Sequence, residues 1–435
     1  MPDAPRRRPG VADAAPRMGE DVPVSDTTRE GQPPASRDGI PLQGTAVVGA
    51  GLLVSQLIAT AQMLVVSRLL GPVQFGVFGA LAVVLLLGST VMAATQVVVA
   101  RHVASGRSAE HISTRAILVA GLAACVVGLL AVPVLTHALH LSGAAGAVLV
   151  ALAFVPLTVT GGQLGLLQGA EEHHRLGSLY VVSTGLRVAG AITGAAVGGT
   201  ATATLLGLAL GATAGALAGR LMLVREPPSG PREETPRALL VEITHAAHAL
   251  VALYALTNLD VLIARAQLSP HDAGLYAAGA LVARAVFFLP QAVLVAAFPR
   301  MVAGSREVQR QAVLVVAALG LLATLVVASV PDLVVRVVSG TQYAAVAAQV
   351  WVFALAGAGF GVVQVLLYAR MAHHDRRAAV LLWSGVAALA TLGLSVGTSI
   401  AALATCAAAV AWTVAAAGMV WARTSPPGRF PVDTD

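Results

Sequence analysis

Between Gly44 and Ala422 the chain is a nearly unbroken series of apolar blocks, each long enough to cross a bilayer. An α-helix rises about 1.5 Å per residue, so about 20 apolar residues cover the hydrocarbon core. Charges, Pro and Gly delimit twelve blocks: residues 44–66, 76–99, 114–137, 142–167, 177–198 and 200–224, then 239–266, 274–298, 311–333, 344–369, 377–397 and 399–422. In lipid every backbone polar group must be paired within the chain, so runs of this length predict helices.

The remaining composition narrows the function classes. Of 435 residues 57% are hydrophobic and only 11% charged, with a mean hydropathy of +0.81, which leaves too little polar material to clothe a soluble enzyme. Cys125 and Cys406 sit inside apolar runs, so neither a disulfide framework nor a Cys-based zinc site is expected. Aromatic residues make up 4%, too few for base-stacking platforms, and no nucleic-acid partner is expected. The chain has no Lys, so it holds no Lys-containing phosphate loop of an ATP-driven pump.

Residues 1–43 hold eight Pro, six Arg and seven acidic residues without an apolar run, and read as a disordered tail. No cleaved signal peptide is expected ahead of residue 44. With this tail in the cytoplasm, 22 Arg fall in inner segments against three in outer loops, Arg68, Arg265 and Arg336. That bias predicts cytoplasmic N- and C-termini, with 423–435 as the C-terminal tail. It also accounts for the net charge of +6 as membrane topology.

The two halves are duplicates. Pro72 and Gly76 recur as Pro270 and Gly274, and Pro133 as Pro331, all 198 residues on. Arg101 recurs as Arg300 at 199, and His173-His174 as His373-His374 at 200. An even number of spans per half makes the repeats parallel, so a site is expected between them near the midplane. The expected fold is all-α and polytopic: twelve transmembrane helices in two parallel six-helix lobes, residues 44–224 and 239–422, joined by a Pro-rich cytoplasmic linker at 225–238.

The first loop, Arg68-Leu-Leu-Gly-Pro-Val-Gln-Phe-Gly-Val-Phe78, resembles that of the polysaccharide-biosynthesis flippases, the O-antigen-type transporters of the MOP superfamily. Asn258-Leu-Asp260, Gly274-Leu-Tyr276 and Phe298-Pro299-Arg300 resemble the seventh and eighth helices of the same family. The resemblance spans residues 44–422. It implies a V-shaped, MATE-like pair of lobes in a bacterial cytoplasmic membrane. Such a protein moves polyprenyl-diphosphate-linked glycans to the outer leaflet by alternating access, without a cofactor. It further implies a monomer surrounded by membrane lipid, with polysaccharide polymerase or glycosyltransferases as partners. The alternative is a MATE-type drug or metabolite exporter driven by protons or sodium.

Polar residues inside the spans are the candidate site. Arg187 and Arg284 lie near the centres of their helices, where an Arg faces either a cavity or a partner. A guanidinium grips phosphate oxygens with two parallel hydrogen bonds, which suits a diphosphate; pairing with a carboxylate or carbonyl to join helices is the other reading. Gln291 shares the face of Arg284, and Gln56 and Gln62 make the first span polar enough to line a cavity or to bond across helices. Gly190 and Gly194 share the face of Arg187, and Gly207, Gly211, Gly215 and Gly219 form a small-residue stripe on the next span. Asp260 is a candidate for coupling, as partner of a substrate-binding Arg or of a cation, and equally for a pair with Arg265 or Arg68. Glu242, His245 and His248 fit a proton relay or inner gate, or a hydrated helix start. Arg68 and Arg265 are candidate headgroup contacts or interfacial anchors. The paired histidines read as solvated loops, and no metal site is expected. Spans one to six carry no Asp or Glu, which favours an anionic substrate over a cationic drug.

Overall fold

The computed structural model describes residues 42–104, 114–223, 236–288, 306–371 and 377–424. Residues 1–41, most of the 225–238 linker, Gln291, His373-His374 and the 425–435 tail lie outside them. Each of the twelve apolar blocks is predominantly helical over its described residues, and no strand occurs among them.

In the N-lobe, α1 (Leu42–Gly88) breaks at Gly71 into arms 42–70 and 72–88, followed by α2 (Thr90–Ala104). Then come α3 (Thr114–Ala138), α4 (Ala145–Gly169), α5 (His173–Gly198) and α6 (Ala201–Met222). The C-lobe holds α7 (Pro236–Leu256), α8 (Leu259–Gln267), α9 (Pro270–Phe288), α10 (Arg306–Ser329) and α11 (Pro331–Val338). A 3-10 helix (Thr341–Gln349) leads into α12 (Val350–Met371), α13 (Arg377–Val396) and α14 (Ile400–Thr424).

Among the described residues nine helical stretches are long and apolar enough to span a membrane, and the longest, Val47–Ala104, contains two spans joined at Gly71. The outward faces fit such a medium: many large apolar side chains are exposed on them, Leu130 at 74% and Leu221 at 82% among them. The chain is a multi-pass membrane protein.

Three boundaries differ from the sequence expectation, each for a local reason. The nine residues allotted to the first loop are helical except Gly71, whose φ of 67° lets the chain turn at one residue that lacks a Cβ. The seventh span is two helices, bent by 46° at Thr257–Asn258. There the Asn258 amide and the Thr257 hydroxyl donate to the carbonyls of Tyr254 and Leu253 at 3.0 Å each, competing with the helical ladder. In the C-lobe Pro331 starts a separate helix, since its fixed φ and missing N–H suit a first turn. Its counterpart Pro133 instead lies inside α3.

The lobes meet through repeat-related glycines. A Cβ on Gly274 would overlap the Pro72 carbonyl, and one on Gly76 would sit 2.9 Å from the Gly274 nitrogen, so arm 72–88 and α9 touch backbone to backbone. Gly79 faces Ala277 one turn further on.

Candidate functional site

Five N-lobe segments line a common cavity of about 230 Å³. On α5 the lining face is Tyr180, Ser183, Thr184 and Arg187, spaced i, i+3, i+4 and i+7, the period that keeps residues on one side of a helix. On α1 the same spacing brings Leu52, Ser55, Gln56 and Ala59, and around α2 it brings Ser89, Met92, Ala93 and Gln96. Thr160 and Leu164 enter from α4, Ala212 from α6, and Tyr254 of α7 adds a wall from the C-lobe. The lining holds amides, hydroxyls and one cation, and no carboxylate.

Arg187 is set by its neighbours' lack of side chains. A Cβ on Gly211 would overlap the Leu186 carbonyl and sit 2.7 Å from the Arg187 Cα. Gly190 and Gly207 meet carbonyl to backbone in the same seam, and Gly194 packs on Ala203. The small-residue stripe therefore fixes the α5 backbone against α6, while the long guanidinium side chain lines the cavity. Among the described residues it has no hydrogen-bond or ion-pair partner. Beside it, Gln96 donates to the Tyr180 hydroxyl at 2.5 Å and to the Gln168 amide oxygen at 2.7 Å, which ties a cavity amide and a cavity phenol to Gln168 behind them.

Arg284 is not in this cavity. It lies inside the C-lobe, where its Nε donates to Asn258 Oδ1 at 3.0 Å. The helix break thus serves the charge: one end of the Asn258 amide closes the broken ladder and the other receives Arg284. Asp260 follows in the first turn of α8, where a helix N-terminus favours an acid. Its Oδ2 accepts from the Tyr276 hydroxyl at 2.8 Å, Oδ1 is buried without a hydrogen-bond partner among the described residues, and Arg284 is a nearby cation.

The other candidates fall elsewhere. Gln62 is 4% exposed within α1 and does not line the cavity. Glu242 joins the lobes at the Arg101 end: its Oε1 lies 3.1 Å from Arg101 Nη1 and its Oε2 2.8 Å from His102 Nε2. His245 belongs to the same helix, and His248 is exposed on it. At the Gly71 end, Arg68 Nη2 donates to the Val337 carbonyl. Arg265, 6% exposed, donates to the carbonyls of Leu139 at 3.0 Å and His140 at 3.2 Å. No group of three or more metal-ligating side chains occurs among the described residues.

Sequence reasoning passed over Gln96, Tyr180, Ser183 and Thr184, although the α5 stripe ending at Arg187 was there to be counted. It also missed that Arg101 and His102 would hold Glu242, because that contact joins residues 140 apart and leaves no periodic trace.

Residues 42–305 match the family described as polysaccharide biosynthesis protein. No curated protein matches the sequence. Among solved structures, lipid II flippase MurJ in an inward closed conformation aligns with a TM-score of 0.71 at 9% identity, over 88% of each chain. The inward-facing conformation of a multidrug resistance MATE family transporter of the MOP superfamily gives 0.66 at 12% identity, over 87% of this chain and 97% of that one. The outward-facing conformation of a multidrug resistance MATE family transporter gives 0.56 at 11%, over 89% and 96%. These likenesses establish the fold of the MOP-superfamily transporters, two lobes of apolar helices. With most of its length covered by the family match, the chain belongs to the polysaccharide biosynthesis protein family.

Proposed function

We propose that this protein moves a polyprenyl-diphosphate-linked oligosaccharide from the inner to the outer leaflet of a bacterial cytoplasmic membrane by alternating access, with both termini in the cytoplasm. The observation that carries this reading is Arg187: a charge without a partner among the described residues, facing a cavity of amides and hydroxyls. A lone cation at mid-membrane depth is costly, and it is retained where an anion visits it. Two guanidinium N–H groups match two phosphate oxygens, and Gln56, Gln96 and Ser183 supply the neutral donors and acceptors that sugar hydroxyls need. A cavity of about 230 Å³ admits a diphosphate but not a glycan, so the lobes separate during transport and the prenyl tail stays in lipid.

In this reading Asp260, with its unpartnered oxygen and the nearby charge of Arg284, is where a coupling cation or proton acts. Glu242 and its partners close the cytoplasmic side. Each net charge moved across the membrane is worth about 2.3 kcal/mol per 100 mV, so the potential contributes as well. The test is reconstitution into liposomes with a labelled polyprenyl-diphosphate sugar beside a cationic dye. Leaflet exchange of the sugar lipid alone is expected; transport of the dye alone would move the protein to the drug exporters.

A further inference from the structure

The two arginines at the Gly71 end make the same contact in opposite directions. Arg68 and Arg265 stand 197 residues apart, and their acceptors Leu139 and Val337 stand 198 apart. Arg68 of the N-lobe donates to the Val337 carbonyl in the last turn of α11, while Arg265 of the C-lobe donates to Leu139 and His140 just past the end of α3. Each guanidinium therefore reaches across the lobe boundary to a helix C-terminus of the opposite lobe, Arg68 to α11 and Arg265 to α3. Carbonyls at a helix C-terminus lack intrahelical partners and carry the negative end of its dipole, so a cation is the natural cap.

From this reciprocity we infer that Arg68 and Arg265 form a paired latch, which holds the Gly71 end shut and releases as a unit when the lobes part there. The inference rests on the transport reading for its purpose, though not for its geometry. Arms 72–88 and α9 touch through Gly76 and Gly274 along the same boundary, which gives the lobes a pivot beside both contacts. A latch made of guanidinium and main-chain carbonyl also opens without loss to either side, because water replaces each partner once the surface separates. The two halves are not equally supported. Tyr343 donates to the Ser67 carbonyl at 2.8 Å, and Gln342 to the same carbonyl at 3.1 Å, so the Arg68 side is doubly fastened. Their repeat counterparts, Ala145 and Ala144, carry no side-chain donor, so among the described residues Arg265 lacks this second fastening.

Conformation, not transport, is the direct readout. In full-length protein in nanodiscs, with Cys125→Ala and Cys406→Ala, spin labels at Gly143→Cys and Val396→Cys report the separation across the Arg265 contact. Arg265→Gln is expected to raise the long-distance population on the order of tenfold, the effect of removing a charge-assisted hydrogen bond. Arg68→Gln should raise it less, since Tyr343 and Gln342 remain, and the double variant most. A second pair, Ala104→Cys with Val241→Cys at the other end, should not lengthen. If the double variant does not fold, Arg265→Lys keeps a charge but loses the two-pronged contact, and an intermediate shift is expected. Unchanged distances at the Gly71 end in folded variants would overturn the latch. Because no substrate is needed, this result stands apart from the liposome assay: distances that shift in a protein that flips no sugar lipid would leave the latch intact and remove the function.

Discussion

Gly76 and Gly274, separated by 198 positions in the chain, pack backbone against backbone at the boundary between the lobes, with the Gly274 nitrogen 2.9 Å from where a Gly76 Cβ would stand. The duplicated glycine is thus one contact on which the duplicated lobes meet.

A methyl group at Gly274 has no space, because the Pro72 carbonyl fills it. Gly274→Ala should lower stability by about 1–3 kcal/mol, the range for overpacking, and Gly76→Ala should cost less because its neighbours lie further off. Gly185→Ala on α5 is the control: nothing lies within 4 Å, so replacing a helical glycine should be neutral or stabilising. Thermal unfolding followed by tryptophan fluorescence checks all three.

Arg187 and Arg284, both half-buried, should separate by stability. Arg284→Ala leaves Asn258 Oδ1 without its donor, at a cost of about 1–3 kcal/mol for an unsatisfied buried acceptor, and removes a positive charge from the neighbourhood of Asp260. Combined with Asp260→Asn, the loss should be smaller than the sum of the single losses, which a double-mutant cycle on melting measures. Additive losses would show that the two groups do not act on one another.

How much of this could be read in the sequence depends on the range of the interaction. The helices could be read, since a membrane span is written in consecutive residues, and so could the duplication, through Pro72–Pro270 and Gly76–Gly274. The α5–α6 seam was visible as Gly207, Gly211, Gly215 and Gly219 at every fourth position. Arg187 and Arg284 looked alike in sequence, both central in apolar helices. Only the fold separates them, because Asn258 reaches Arg284 from another helix while no described side chain reaches Arg187. The bend at Asn258 carried no Pro or Gly to announce it. The single-residue turn at Gly71 was hidden by a plausible loop of nine residues.

The Arg101 end should respond to salt. Glu242 bridges Arg101 and His102 with the Arg101 side chain 61% exposed, so the pair adds less than about 1 kcal/mol to stability. In the proposed transport cycle its expected effect is on opening. In Glu242→Gln, a cysteine placed at the buried Ala247 should react faster with a membrane-impermeant thiol reagent, and raising ionic strength from about 0.1 to 1 M should mimic the substitution in the parent. Equal labelling rates in both proteins would remove Glu242 from any gate.

In the proposed cycle Arg187 receives the acidic head of the lipid-linked glycan, and leaflet exchange in liposomes reads that contact. Arg187→Ala should melt at the parent's temperature, having no partner to strand, yet exchange labelled polyprenyl-diphosphate sugar roughly 10- to 100-fold more slowly. Arg187→Lys should fall between, since it keeps the charge and loses the fork. Exchange at the parent's rate in a folded Arg187→Ala protein would contradict the account.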